Sequence, residues 1–262
     1  MNNKVAVITG GSRGIGKAIA EQLAVDGYDI VVASYNKENA KAAAEELSDK
    51  GYNVVYAYGD VSDPNSHKKF IDVAVENFGR LDTYINNAGI CYVEDVPSIT
   101  QEGLENIFSI NVFGAVYGIQ AAREQFLKQN DGDKIRKIIN ASSITGYKSG
   151  KLLPSYSATK FAIRSFTESA ADEFASEKIT VNAYCPGIVS TSMLDSIDES
   201  VDKISGLGKG NFIQSYTSES IALGRPASPE DVANLVSYLA SNKSDYMTGQ
   251  SIQIDGGTNL VN

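Results

Sequence analysis

The sequence contains little histidine and little cysteine. Its 262 residues include one histidine, His67, two cysteines, Cys91 and Cys185, and no tryptophan. A single histidine excludes most zinc sites, and it excludes a Ser-His-Asp triad unless His67 is the base. His67 lies in a polar stretch, so we expect it on the surface. Because the two cysteines lack CxxC spacing, we expect small buried hydrophobic residues, no disulfide framework and no metal site.

Positive charge and long apolar runs are also scarce. The chain has 23 Lys and Arg residues against 32 Asp and Glu residues, which gives a formal net charge of −9. This excess of negative charge opposes binding along a polyphosphate, so we expect no nucleic acid partner. The sequence offers no run of about 18 apolar residues to span a membrane and no signal sequence after Met1. The interpretation is a cytoplasmic protein without a membrane partner.

The chain instead shows a regular alternation of short apolar runs with longer stretches of helical spacing. Runs rich in β-branched residues, joined by helical crossovers, are typical of a parallel sheet covered on both faces. With 42% hydrophobic residues, we predict a single α/β domain over residues 1–262. The predicted fold is a Rossmann-type, doubly wound parallel sheet of about seven strands with helices on both faces. The strands are predicted at residues 5–8, 30–33, 54–57, 83–85, 137–140, 180–183 and 251–254.

One long region, residues 187–223, lacks clear helical or strand spacing. It follows the sixth predicted strand and contains Gly206, Gly208 and Gly210 close together. In an open parallel sheet the ligand lies beyond the carboxyl ends of the strands. We therefore predict that this region is an irregular, mobile lid over a substrate.

A glycine-rich loop follows the first predicted strand. It reads Thr9-Gly10-Gly11-Ser12-Arg13-Gly14-Ile15-Gly16, and a stretch of helical spacing comes directly after it. Glycines allow a tight turn and a close approach of the backbone to a pyrophosphate, whose charge is stabilised by the N-terminus of the helix. The strand, turn and helix are the context that a dinucleotide site requires, although such turns also occur without ligands.

From this loop onward the chain resembles the short-chain dehydrogenase/reductase family over essentially its whole length. Asn86-Asn87-Ala88-Gly89 follows the fourth strand, and Tyr156-Ser157-Ala158-Thr159-Lys160 matches the pattern Y-x-x-x-K. Ser143 precedes the tyrosine by 13 positions, and Pro186-Gly187 follows the sixth strand. The resemblance implies that Asn111, Ser143, Tyr156 and Lys160 are the catalytic residues. It further implies that Lys160 contacts the nicotinamide ribose and that Asn111 supports a water-linked proton relay.

The pairing of Tyr156 with Lys160 also has a chemical basis. Residues four apart on a helix share one face. Carbonyl reduction by hydride transfer needs a proton donor, and a free tyrosine, with a pKa of roughly 10, is a poor partner at neutral pH. Lowering that pKa by about three units takes on the order of 4 kcal/mol. An ammonium at about 4 Å supplies about that much at an effective dielectric of about 20. We therefore expect Lys160 to lower the pKa of Tyr156, while Ser143 holds the substrate oxygen.

The end of the second strand bears on the choice between NADP(H) and NAD(H). An acidic residue there would bind the 2′-hydroxyl of NAD and repel the 2′-phosphate of NADP. This chain has Ser34 at that place, with Arg13 and Lys37 as cations for the phosphate. NADP(H) is therefore favoured, with NAD(H) as the alternative. Together with the family resemblance, this implies a cofactor site of Gly10, Ser12, Arg13, Gly14, Ile15, Gly16, Ser34, Lys37, Asp60, Val61, Asn87, Ala88, Gly89, Tyr156, Lys160, Pro186, Gly187, Val189 and Thr191.

Several stretches, including residues 116–122, 137–141, 181–189 and 244–250, are similar to acetoin (diacetyl) reductases and 2,3-butanediol dehydrogenases of that family. The similarity implies reversible reduction of a small ketone, and Gly146, Leu152, Leu153 and Met193 suggest a small, partly apolar pocket. Sugar or polyol ketones and 3-oxoacyl thioesters are alternative substrates. A nucleotide-sensing protein without turnover is the alternative outside enzymes, although a sensor has no need of Ser143, Tyr156 and Lys160. The family also implies a homotetramer.

Overall fold

The computed structural model describes residues 3–129, 132 and 134–259. It contains a parallel sheet in the order β3-β2-β1-β4-β5-β6-β7. Strand order reverses between β1 and β4, which both pair in parallel with their neighbours. The predicted α/β fold and all seven predicted strand positions are confirmed. The strands are β1 (Lys4–Thr9), β2 (Tyr28–Ser34), β3 (Val54–Tyr58), β4 (Thr83–Asn86), β5 (Arg136–Ala141), β6 (Ile179–Pro186) and β7 (Ser251–Ile254).

Helices connect the strands and cover both faces of the sheet. Side-chain caps mark where several of them begin: Asn36 accepts a hydrogen bond from the Asn39 amide at 2.9 Å, and Ser228 and Asp231 form a reciprocal capping box. The helices are α1 (Gly14–Val25), α2 (Lys37–Asp49), α3 (Pro64–Phe78), α4 (Gln101–Phe108), α5 (Gly114–Lys128), α6 (Pro154–Phe174), α7 (Ser192–Ser205), α8 (Asn211–Ser220) and α9 (Pro229–Ala240).

The core consists of two apolar layers, one on each face of the sheet. Alternate residues of β1 enter different layers: Ala6 and Ile8 pack with α1, α2 and α9, whereas Val5 and Val7 pack with α3, α5 and α6. Because both faces are buried, the central strands are apolar at successive positions instead of alternating with polar residues. The two layers fix the carboxyl ends of β1, β4, β5 and β6 along one edge of the sheet.

The region between residues 187 and 223 is mostly helical, so the prediction of an irregular segment was wrong. It contains α7 and α8, and two carboxylates of α7 hold the turn between them. Asp198 accepts a hydrogen bond from the Gly210 amide at 2.6 Å, and Asp202 accepts one from the Gly208 amide at 2.7 Å. Gly208 and Gly210 have φ angles of 86° and 84°, which favour glycine. Glycines that signalled irregular chain are therefore the turn of a helical hairpin.

His67 is also placed differently from the sequence-based expectation, because it is fully buried and not on the surface. It lies in the first turns of α3, where Asn65, Lys68 and Lys69 face solvent while its own position faces the sheet. Its Nδ1 lies 2.7 Å from the Tyr84 hydroxyl, and its Nε2 lies 2.9 Å from the Val61 carbonyl oxygen. Both ring nitrogens therefore have hydrogen-bond partners, which offset the cost of removing the imidazole from water.

In the described part of the chain, no helix combines the length and apolar character that a membrane crossing requires. The same residues contain no group of three or more His, Cys, Asp or Glu side chains placed to hold a metal ion.

Candidate active site

A cleft of about 780 Å³ opens along the carboxyl ends of β1, β4, β5 and β6. Its volume lies within the range of about 300–1,000 Å³ that is usual for small-molecule and cofactor sites. It begins at the point where the strand order reverses, which is where open parallel sheets bind their ligands. The sequence-predicted residues in its walls are Gly10, Ser12, Arg13, Gly14, Ile15, Gly16, Ser34, Asp60, Val61, Asn87, Ala88, Gly89, Ser143, Tyr156, Lys160, Pro186, Gly187, Val189 and Thr191.

The glycine loop forms one end of the cleft. Gly10 and Gly14 have φ angles of 63° and 51°. Gly16 packs so closely that a Cβ there would lie 2.3 Å from the Gly10 oxygen. The loop leads into α1, whose N-cap residue, Arg13, makes no side-chain hydrogen bond to the helix. The N-terminal amides of α1 are therefore left for an anion, which fits the pyrophosphate of a dinucleotide.

Asn87 holds the glycine loop in place. Its Nδ2 donates to the Thr9 oxygen at 2.9 Å and to the Gly10 oxygen at 3.2 Å. The Tyr184 hydroxyl donates to Asn87 Oδ1 at 2.8 Å, which sets the orientation of the amide. The Asn87 and Ala88 amides both donate to the Thr9 hydroxyl. Side chains from β1, from the residue that follows β4 and from β6 are thus hydrogen-bonded to one another at this end of the cleft.

The residues near the end of β2 differ in their placement. The Ser34 hydroxyl lies 3.0 Å from that of Ser12, and the exposed Arg13 borders the same part of the cleft. Lys37 lies outside the residues that line the cleft, with its Nζ 5.4 Å from the centre of the Tyr58 ring. Of the two cations predicted for a 2′-phosphate, the structure therefore brings Arg13 to the cleft but not Lys37.

The catalytic candidates Tyr156 and Lys160 share one face of α6, and Ser143 follows β5. Lys160 is buried, and its Nζ donates to the Ala141 oxygen at 2.8 Å. The same Nζ lies 5.4 Å from the centre of the Tyr156 ring. Ser143 and Tyr156 both border the cleft. The structure therefore brings these three residues together.

The pKa of Tyr156 is shifted in the direction opposite to the one expected. Burial raises it, the partly buried thiol of Cys91 adds to the rise, and hydrogen bonding by Ser143 opposes it. Burial also acts against the charge of Lys160 and lowers the pKa of Lys160 to about 8. A phenol with a raised pKa stays protonated at neutral pH, so the site holds Tyr156 in its acid form.

Asn111 lies behind this group and does not line the cleft. It sits in a π-helical turn, Ser109–Phe113, that joins α4 to α5. Its side chain is 3% exposed and bonds to both backbone groups of Ile90, with Nδ2 to oxygen at 2.9 Å and Oδ1 to nitrogen at 2.8 Å. Nδ2 also lies 3.1 Å from the Thr159 hydroxyl. Turns of this kind are frequent at functional sites.

The helical hairpin of α7 and α8 contributes apolar side chains to the lining of the cleft. Of the pocket residues predicted from the sequence, Leu153 and Met193 line it, whereas Gly146 and Leu152 do not. Sequence reasoning missed Phe212 and Tyr216, which also line the cleft and have ring centres 5.8 Å apart. Their spacing of four residues was the available signal, because it places both on one face of a helix.

The two cysteines are both free thiols. Cys185 is fully buried, as expected, whereas Cys91 is only partly buried. Burial raises the pKa of Cys185 to about 11 and that of Cys91 to about 12. Because the thiolate is the reactive form, neither residue has the properties of a nucleophile.

The fold and the cleft define a nicotinamide-dependent oxidoreductase of the Rossmann type. The chain belongs to the short-chain dehydrogenase/reductase family, whose members act on CH–OH and C=O groups, because the family model of short-chain dehydrogenases matches residues 4–202. The chain is 49% identical over 256 residues to a diacetyl reductase [(S)-acetoin forming] of Staphylococcus epidermidis, covering 97% of this chain and 98% of that protein.

Two further comparisons agree with the family. An L-2,3-butanediol dehydrogenase of Corynebacterium glutamicum is 46% identical over 257 residues, covering 97% of this chain and 98% of that protein. The crystal structure of an actinorhodin polyketide ketoreductase variant with NADPH superimposes with a TM-score of 0.92 at 27% identity. That superposition covers 98% of each chain.

Proposed function

We propose that this enzyme reduces a small vicinal diketone or hydroxyketone, such as diacetyl or acetoin, and oxidises the corresponding alcohol in reverse. The observation that carries the proposal is the sequence identity of 49% to a diacetyl reductase and of 46% to a butanediol dehydrogenase, over nearly the whole chain. The pocket supports it, since the apolar side chains of Leu153, Met193 and Phe212 line the same cleft as Tyr156. A small ketone needs one hydrogen-bonded oxygen and apolar contact for the rest of the molecule.

The residues around Tyr156 divide the work of proton transfer. The bound nicotinamide cofactor supplies or accepts the hydride. The Ser143 hydroxyl donates a hydrogen bond to the carbonyl oxygen, and the Tyr156 hydroxyl gives its proton to that oxygen as negative charge develops. Because burial raises the pKa of Tyr156, the proton is present at neutral pH. The ammonium of Lys160 stabilises the phenolate that remains, and the family resemblance assigns Asn111 to a water-linked proton relay.

We further propose that NADP(H) is the preferred cofactor. Ser34 leaves no negative charge at the end of β2 to repel a 2′-phosphate, and the guanidinium of Arg13 borders the same part of the cleft. Gly10, Gly14 and Gly16 leave backbone amides for the pyrophosphate. Measurement of kcat/KM with NADPH and with NADH tests this choice of cofactor. An NADH value equal to or above the NADPH value would show that the choice is wrong.

Substrate is tested by following cofactor absorbance at 340 nm with diacetyl, acetoin, a ketose and a 3-oxoacyl thioester. We expect the largest kcat/KM with diacetyl or acetoin. A higher value with the ketose or the thioester would transfer the assignment to that alternative. Cofactor binding without turnover of any of the four would favour a nucleotide sensor.

We also propose a homotetramer. Exposed apolar side chains on α5 and α6, including Leu127, Phe161 and Phe166, remain about half accessible in one chain. We expect these side chains to pack against other copies of the chain in the tetramer. Light scattering at micromolar concentration should give four times the chain mass, and a monomer would count against the proposal.

A further inference from the structure

The chain's one histidine is buried beside the cofactor cleft and takes no part in the proton transfer described above. His67 lies on α3 with its ring among those of Phe70, Tyr84 and Tyr117, at centre-to-centre distances of 5.8, 6.0 and 6.5 Å. An aromatic or aliphatic side chain would fill this space without polar atoms. The presence of two buried ring nitrogens therefore requires an explanation in terms of what they bind.

The hydrogen bonds of His67 determine its tautomer. The Val61 carbonyl oxygen, 2.9 Å from Nε2, can only accept, so Nε2 carries the proton. Burial lowers the pKa of the imidazole, which keeps it neutral. In the neutral ring Nδ1 is then an acceptor, and the Tyr84 hydroxyl, at 2.7 Å, donates to it. The order of donation runs from Tyr84 through His67 to the Val61 carbonyl.

Val61 belongs to a turn that borders the cleft. The Asp63 amide donates to the Asp60 oxygen at 3.0 Å, and the carboxylate of Asp60 accepts from the amide and hydroxyl of Ser62 at 2.9 and 2.7 Å. These bonds shape the turn internally. The bond from His67 ties it to α3 and, through Tyr84, to the buried β4. On the other side Val61 meets α5, where a Cβ on Gly114 would lie 3.1 Å from the Val61 oxygen.

We propose that His67 is a positioning residue for the adenine end of the cofactor cleft, which it maintains by holding the Val61 carbonyl. The proposal rests on the proposed cofactor binding and on the contact of Asp60 and Val61 with the adenine that the family resemblance implies. His67 itself does not touch the cofactor. Its effect is on affinity for the adenosine half of the dinucleotide and not on the rate of the chemical step.

Two amide substitutions separate the two bonds of the imidazole. The terminal amide of glutamine reaches the place of Nε2, so His67→Gln keeps a donor for the Val61 carbonyl. Asparagine is one methylene shorter and reaches the place of Nδ1, so His67→Asn keeps the bond to Tyr84 but leaves Val61 without its donor. We expect His67→Asn to raise the Kd for NADPH about tenfold and His67→Gln to raise it less than about threefold.

The readouts are calorimetric Kd values for NADPH, for adenosine 2′,5′-bisphosphate and for reduced nicotinamide mononucleotide, together with kcat at saturating NADPH. Weakening in His67→Asn should appear with the two adenine-containing ligands and not with the mononucleotide, and kcat should change less than about twofold. Equal Kd values for the two variants, or a lower Tm without a change in Kd, would overturn the proposal.

Tyr84→Phe provides a second measurement if His67→Asn does not fold. It removes the donor to Nδ1 but leaves the bond from Nε2 to the Val61 carbonyl, so the Kd for NADPH should rise less than about threefold, and a rise of about tenfold would overturn the proposal. A wild-type protein that binds neither NADPH nor NADH would instead contradict the cofactor assignment itself. The failure of the positioning role is thus distinguishable from failure of the proposed function.

Discussion

The two ends of the cleft differ in how their polar groups are held. At the glycine loop, Tyr184, Asn87 and Thr9 are bonded to one another, so the dinucleotide end is organised by the protein's own contacts. At the Tyr156 end, burial disfavours the charged form of both groups. It lowers the pKa of the Lys160 ammonium to about 8 and raises the pKa of the Tyr156 phenol. In the binding region the polar side chains therefore satisfy one another's hydrogen bonds, whereas the catalytic region keeps groups whose pKa values are far from those in water.

Removal of the phenol should have the largest effect and should break the catalytic end alone. Tyr156→Phe should lower kcat by about 10²–10⁴-fold, because the general acid is lost while the ring still packs. The Kd for NADPH, measured by calorimetry, should stay within a few-fold of the wild-type value. Turnover near the wild-type rate would rule out the proposed role of Tyr156.

The buried charge of Lys160 should appear as a pH dependence of stability. Its folded pKa of about 8 lies below the value of 10.5 expected in water, so the unfolded chain binds more protons between these values. Stability from this group therefore increases with pH in that window. Relative to Lys160→Met, wild type should gain about 2 kcal/mol in unfolding free energy between pH 7 and 9.5.

Denaturant unfolding at the two pH values measures this gain. The matched control is Lys148→Met, which removes an exposed lysine whose ammonium stays in water. The same gain in both comparisons would mean that burial of Lys160 is not its source.

Loss of the Tyr184 hydroxyl should weaken the cofactor end. Tyr184→Phe leaves Asn87 Oδ1 without its donor, and we expect the unfolding free energy to fall by about 1–3 kcal/mol. The Kd for NADPH should rise as the amide of Asn87 loses its fixed orientation. Tyr246→Phe, which changes a fully exposed tyrosine, is the control. Equal stability and affinity in the two variants would mean that the interlocked bonds do not organise the loop.

The smallest expected effect concerns the 2′-phosphate. Ser34→Asp should lower kcat/KM with NADPH by about tenfold and leave the NADH value unchanged or higher, because a carboxylate there repels the phosphate. Lys37→Ala should change neither value, since Lys37 lies beside Tyr58 and outside the cleft lining. A loss of NADPH preference in Lys37→Ala would show that its side chain reaches the cleft in the complex.

Local sequence patterns determined much of this protein. The apolar runs predicted every strand position, because strands buried on both faces are apolar throughout. The glycine loop predicted the dinucleotide end of the cleft, because parallel strands bring their carboxyl ends to one edge, and the family resemblance implied that Ser143 lies with Tyr156 and Lys160. These inferences succeeded where the controlling interactions are short in sequence or follow directly from sheet geometry.

Only the tertiary structure decided the rest. The sequence places His67 among polar residues, but the packing of α3 on the sheet buries it against Tyr84. Carboxylates of α7 turn a glycine-rich stretch into a helical hairpin. The pKa of Tyr156 depends on burial, which spacing on a helix does not reveal. Each of these features depends on desolvation or on hydrogen-bond partners distant in sequence. Such desolvation and such contacts exist only when the chain has folded.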